Sequence, residues 1–163
     1  MSYVNKVVVN GQEVNLNQLE GILDAEGHNR FIEGEGVTRV ISGVTPQYNK
    51  WSLSGSHLMI VLAFKLDANA TLVNYDILED IDIPEWISNK IFALGDGSTG
   101  WIEVKDTKPY TNEGVPTGDP KTFILTKTSG GDLRVYYISA NFTPDADRYF
   151  RVQFDLVIDN ASA

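Results

Sequence analysis

The side chains in this sequence that could do chemistry are two histidines, a run of acids and a scatter of aromatic rings. His57 stands beside Ser54 and Ser56, and with any one of the 22 acidic residues these could compose a Ser-His-acid triad. No nucleophile-elbow motif accompanies them, and a strand-end histidine with a backbone partner is the simpler reading. His28 lies alone among polar residues. Asp76, Glu79, Asp80, Asp82 and Glu85 could act as glycosidase carboxylates or calcium ligands. Glycoside hydrolysis needs two carboxyl groups about 5 to 9.5 Å apart across a cleft, which spacing along a strand does not establish. Calcium needs about six to eight oxygens, and the Asp96-Gly97-Ser98 loop lacks the repeated Asp and Asn ligands. A solvated sheet edge blunted by charge explains the acidic run better. Gly95-Asp-Gly-Ser-Thr-Gly100 resembles a phosphate cradle only superficially, because no Lys and no helix follow it; it reads as a surface loop. With no cysteine there is no thiolate nucleophile and no Cys-based metal site. The residue chemistry names no reaction, and no enzyme, cofactor or metal is expected.

The aromatics point to binding. Trp51, Trp86, Trp101 and Tyr110 fall at expected strand ends or loops, as suits saccharide stacking, where a flat ring meets the C–H face of a sugar and Asp, Asn or Gln bind hydroxyls. Trp101 follows the glycine loop and precedes a long loop at 106–120. These two loops form the expected binding rim, with Trp101, Tyr110, Asp96 and Asn112 as its candidate ligand-binding residues. The competing reading is that each Trp seals an edge of the core.

Positioning such residues falls to strands. In 149–158, Phe150, Val152, Phe154, Leu156 and Ile158 alternate with polar residues, which predicts a long half-buried strand. Residues 133–142 alternate less cleanly, and the Pro144 and Asp-containing turn between the two runs predicts an antiparallel hairpin. In 57–66, Leu58, Ile60, Leu62, Phe64 and Leu66 repeat the one-faced pattern, and the opposite face, with Met59, Val61 and Ala63, is apolar too. This strand is expected in mid-sheet, buried on both sides. Further strands are expected at 37–42, 48–53, within 71–83, at 101–104 and at 121–127. One short helix is expected at 84–92, where Pro84 opens a segment with Trp86, Ile87 and Ile91 near helical spacing.

Toward the N-terminus, Asn10-Gly11 signals a hairpin. Asn15 or Asn17 then caps a short amphipathic helix through Leu16, Leu19, Ile22 and Leu23, ending near Gly27. A coiled-coil stem is the alternative, but the heptads fail after Leu23. Glu33-Gly-Glu-Gly36 reads as a linker, giving an N-terminal anchor or oligomerisation segment at 1–36 and a head domain at 37–163. The fold expected is all-β, an antiparallel β-sandwich or jelly-roll-like head with a short N-terminal hairpin and helix appendage.

Composition narrows the partners. The chain has 163 residues, 42% of them hydrophobic, enough for one domain with its own core. Its net charge of −9 disfavours nucleic acid and anionic membrane surfaces, which reward Lys and Arg. No secretory h-region and no run of transmembrane length is present.

Three stretches, Ser54-Gly-Ser-His-Leu-Met-Ile-Val-Leu-Ala63, Ile83-Pro-Glu-Trp-Ile87 and Asp147-Arg-Tyr-Phe-Arg-Val-Gln-Phe-Asp-Leu156, together resemble the head domains of phage tail-fibre and baseplate receptor-binding proteins from phages of Gram-positive bacteria. The opening Lys6-Val-Val-Val-Asn-Gly11 is similar to the short leader of such proteins. The resemblance implies a homotrimeric virion component, made in the host cytoplasm, whose heads recognise host cell-wall saccharide without a metal and whose N-terminal segment meets other virion proteins. It carries over no binding motif. A virion assembly or decoration protein without a ligand site is the alternative, followed by a polysaccharide-degrading enzyme.

Overall fold

A computed structural model describes residues 6–15 and 21–161. Strands β1 (Lys6–Val9) and β2 (Gln12–Asn15) form a hairpin whose turn residues Asn10 and Gly11 both sit at positive φ, 50° and 78°. That is the type I′ geometry which Asn-Gly favours. Then come β3 (Phe31–Glu35), β4 (Val37–Val40), β5 (Val44–Ser54) and β6 (His57–Leu66). After β7 (Asp76–Ile81) stands one helical turn, α1 (Glu85–Ser88). The chain ends in β8 (Gly100–Thr107), β9 (Lys121–Lys127), β10 (Leu133–Tyr137) and β11 (Arg148–Val157).

Two antiparallel sheets pack as a sandwich. One has five strands in the order β4-β7-β10-β9-β8, the other four in the order β11-β6-β5-β3. Between them lies the core. The alternating face of β6 is sealed, with Leu58, Ile60, Leu62, Phe64 and Leu66 all at 0% exposure. Phe150, Val152, Phe154 and Leu156 of β11 continue that layer, and Leu78, Phe123, Leu125, Leu133, Val135 and Tyr137 face it from the other sheet. Phe64 stacks on Phe150 at 5.1 Å and meets Phe123 edge-on at 5.8 Å. Each such side chain contributes about 1.5–3 kcal/mol by leaving water. The β6 strand is central, as its composition predicts, but its outer face is only partly covered: Val61 is buried while Met59 and Ala63 are half-exposed.

Several expectations are corrected. Residues 133–142 and 149–158 do not form a hairpin with each other: β10 pairs with β7 and β9, and β11 pairs with β6. Length explains the choice, because β11 matches β6 residue for residue from Arg148↔Leu66 to Val157↔His57, whereas five-residue β10 would leave half of it unpaired. The chain between them changes sheets through a bridge of Phe142 with Leu72.

The linker expected at 33–36 is instead strand β3 and the turn after it. Gly34 pairs with Trp51, whose indole lies so close that a Cβ would overlap it. Its glycine serves packing, not flexibility.

Of the helix expected to end near Gly27, residues 16–20 lie outside the described ones, and residues 21–30 form turns closed by a Leu23↔Asn29 bridge. Asp24 competes with a helix there, its Oδ1 accepting the backbone N–H of Glu26 and of His28 at 2.9 and 2.8 Å. Lys90 donates to Asp24 and to Asn160, and Arg30 Nε donates to the Asn160 carbonyl at 2.7 Å, which ties this segment to the sandwich. The acidic run is not a solvated edge either: β7 lies between β4 and β10, and Glu79 and Asp80 are buried. The helix at 84–92 shrinks to one turn that puts Ile87 and Ile91 into the core.

Candidate functional site

β-Bulges decide which side chains reach the outer face of the five-stranded sheet. Trp101 pairs with Thr126 and Glu103 with Leu125, so Ile102 is an extra residue in β8. In a strand without a bulge Val104 would share the inward face of Ile102; the bulge puts Val104 on the outer face with Trp101. A second bulge, at Leu78, makes Ile77 oppose Tyr136 and Glu79 oppose Val135. Ile77 and Asp80 therefore face out, while Leu78 and Glu79 both face the core.

Two cross-strand rows result. One runs Trp101, Thr126, Arg134, Asp80 and the other Val104, Ile124, Tyr136, Ile77. The first row contains a bidentate ion pair, Arg134 Nε to Asp80 Oδ1 at 2.7 Å and an Nη to Oδ2 at 3.0 Å. Asp80 and the neighbouring Tyr136 hold the guanidinium pKa above its ordinary value. Thr126 Oγ1 donates to the Arg134 carbonyl at 3.0 Å, tying β9 to β10 beneath.

Above these rows lies an open groove of about 450 Å³. Ile124, Thr126, Arg134, Tyr136 and Ile138 line it, with Trp101 at one end and Tyr75 at the other. The two end rings are 52% and 67% exposed, so each presents a face to solvent. Tyr75 is held there at φ 74°, a left-handed backbone that a bulky residue rarely adopts. Its N–H donates to the Tyr137 carbonyl at 2.8 Å, and Asp76 Oδ2 accepts the Val73 N–H at 2.7 Å, fixing the turn.

Glu79 marks the other side of the bulge. It is fully buried, and burial pushes its carboxyl up to about 7. With the Asn49 amide oriented by its partners, Asn49 Nδ2 donates to Glu79 Oε2 at 3.1 Å across the sandwich, and Oε1 has no partner among the described residues.

The residues singled out from the sequence separate. Trp101 lines the groove. Asp96 sits in the adjoining loop, joined to it by the Leu94 N–H donating to the Trp101 carbonyl, but Asp96 Oδ1 accepts from Ser98 N, Ser98 Oγ and Thr99 N and so holds its own turn. These bonds, that of the Thr99 N–H foremost, lower its pKa. Tyr110 and Asn112 come together elsewhere: Tyr110 bridges to Tyr149, whose hydroxyl donates to Asn112 Oδ1 at 3.2 Å. Neither lines the groove. Trp51 is buried and donates its indole N–H to the Asp82 carbonyl at 2.9 Å, a core role. Trp86 stacks flat on His28 at 4.1 Å, with Lys90 over its ring.

His57 Nε2 lies 3.2 Å from Asp155 Oδ1 on the outer side of the four-stranded sheet, both half-exposed. Within the acidic run Asp80 is bound to Arg134 and Glu79 is sealed between the sheets, so these two share no cleft. Tyr75, Arg134 and Tyr136 have no motif. The available signal was the polar parity of 133–137, which placed Arg134 and Tyr136 on one face. Compared with known proteins, the sequence matches no family model and no curated protein.

Proposed function

We propose that this protein recognises a saccharide non-covalently on the outer face of its five-stranded sheet, as a host-attachment component of a phage tail fibre or baseplate. The groove carries the saccharide reading: two exposed rings, Trp101 and Tyr75, flank a floor of Ile124 and Ile138 with the Arg134–Asp80 pair and Tyr136 set into it. A pyranose has flat C–H faces and a rim of hydroxyls. The rings and Ile138 suit the faces, and the guanidinium and phenol suit the rim.

The resemblance of residues 54–63, 83–87 and 147–156 to receptor-binding heads supports the virion setting. On that setting the head acts as a homotrimer, the N-terminal segment meets other virion proteins, and many weak sites per particle give avidity. The protein performs no hydrolysis in this reading.

Binding of the purified protein to isolated Gram-positive cell walls tests the proposal. Trp101→Ala should weaken binding by about tenfold or more, with unchanged circular dichroism and solution mass. Tyr110→Ala, off the groove, should bind normally. Wild-type protein that binds no cell wall, or Trp101→Ala that binds as well as wild type, refutes it.

A further inference from the structure

We infer that the groove takes an extended, uncharged oligosaccharide laid diagonally across β8, β9, β10 and β7, with its end rings on Trp101 and Tyr75. This rests on the saccharide reading above and narrows its ligand class.

The length comes from topology. Trp101 stands on β8 in the row of Arg134, and Tyr75 bonds to Tyr137 from the β7 side of β10. Three strand spacings of about 4.8 Å and three residues of about 3.4 Å rise separate them, a diagonal of roughly 18 Å. One pyranose ring does not bridge that distance; a few linked rings do. Between the end rings Ile138 lines the groove toward Tyr75, while Ile124, 1% exposed, lies sealed beneath the β8 side. Strain at Tyr75 points the same way, since a left-handed tyrosine is held in place by its surroundings and its ring is left exposed at the far end of the groove.

The neutrality comes from charge accounting. Among the described lining residues there is no carboxylate, and the cations are Arg134 and Lys127. Arg134 spends two N–H donors on both oxygens of Asp80, so the pair is close to neutral and offers its remaining donors to hydroxyls. Lys127 is 8% exposed and turns its ammonium toward the Ile91 carbonyl, away from the groove. A phosphate or uronate would meet no uncompensated cation and would approach a chain of net charge −9. A neutral glycan meets neither obstacle.

Calorimetry on the full chain with two sets of probes tests this. The neutral set holds glucose, galactose, rhamnose and N-acetylglucosamine oligomers of one to four rings; the anionic set holds oligogalacturonates and glycerol-phosphate oligomers. One neutral series should gain about tenfold or more in affinity from one ring to three, with no dependence on salt. Tyr75→Ala should flatten that rise, Tyr75→Phe should preserve it, and Trp101→Ala should weaken every length. Preference for the anionic set, or affinity that falls steeply with salt, overturns the uncharged ligand. Equal affinity from one ring upward, or an unaltered rise in Tyr75→Ala, overturns the extended site and leaves the saccharide reading standing. Folded wild-type protein that binds no member of either set overturns both.

Discussion

Glu79→Gln isolates the energetic cost of the bulge in β7. The carboxyl stands fully buried, with one oxygen on Asn49 and the other without a partner among the described residues, and its pKa rises from the ordinary 4.5 to about 7. A rise of roughly 2.5 at 1.36 kcal/mol each makes a linked energy of about 3 kcal/mol as an upper figure. In the folded state the group keeps its proton to higher pH than in the unfolded state. Its stabilising contribution is therefore complete below pH 4.5 and is lost as the pH rises to about 7. Glutamine has the same shape and does not titrate, and the Asn49 amide can turn to accept from it. Urea unfolding of both proteins, followed by tryptophan fluorescence from pH 4.5 to 8, should show the variant gaining up to about 3 kcal/mol on wild type across that window. Asp24 does not confuse the comparison: Lys90 chiefly, with the Glu26 and His28 amides, holds its carboxyl well below the usual range, so its effect falls at lower pH. A variant whose advantage is constant from pH 5 to 8 refutes the reasoning, since Glu79 would then be ionised and hydrated inside the fold.

Two further perturbations test the packing and the strain. Gly34→Ala should destabilise by about 1–3 kcal/mol, because the new methyl would overlap the Trp51 indole; a melt that matches wild type would show that β3 can move away at no cost. Tyr75→Gly should stabilise by about 1 kcal/mol through relief of the left-handed backbone while weakening cell-wall binding, and a variant both less stable and fully binding would contradict the role given to that strain.

Strands with one strong period were legible from sequence. The run 57–66 is β6 to the residue, 121–127 is β9, and the alternation of Phe150 through Leu156 gave β11 its buried face. Pairing was less legible, because alternation says which face is apolar and nothing about which strand lies alongside. Residues 133–142 and 149–158 are neighbours in sequence yet belong to opposite sheets. The bulges hid the most. One extra residue at Leu78 sends a glutamate inward, against every expectation from an acidic run, and one at Ile102 brings Val104 out beside Trp101. Gly34 reads as part of a linker until the indole against it is known. The groove was legible only at Trp101, because its other members, the adjacent Gly100 apart, lie 23 to 37 positions away and meet through register rather than through any local motif.

The pairing of β11 with β6 also sets an order in time. Eighty-one residues, 67 to 147, must be made after β6 before the first residue of β11 exists. At about 5–20 residues per second that takes roughly 4–16 seconds. Throughout that interval β6 can pair with β5, but its other edge, ten residues of mostly apolar strand, stays open. Such an edge is a template for any strand that arrives first, including β11 of a neighbouring copy. Crowded synthesis on one message therefore favours strand exchange between copies, and slow, dilute expression favours a sandwich closed within one chain.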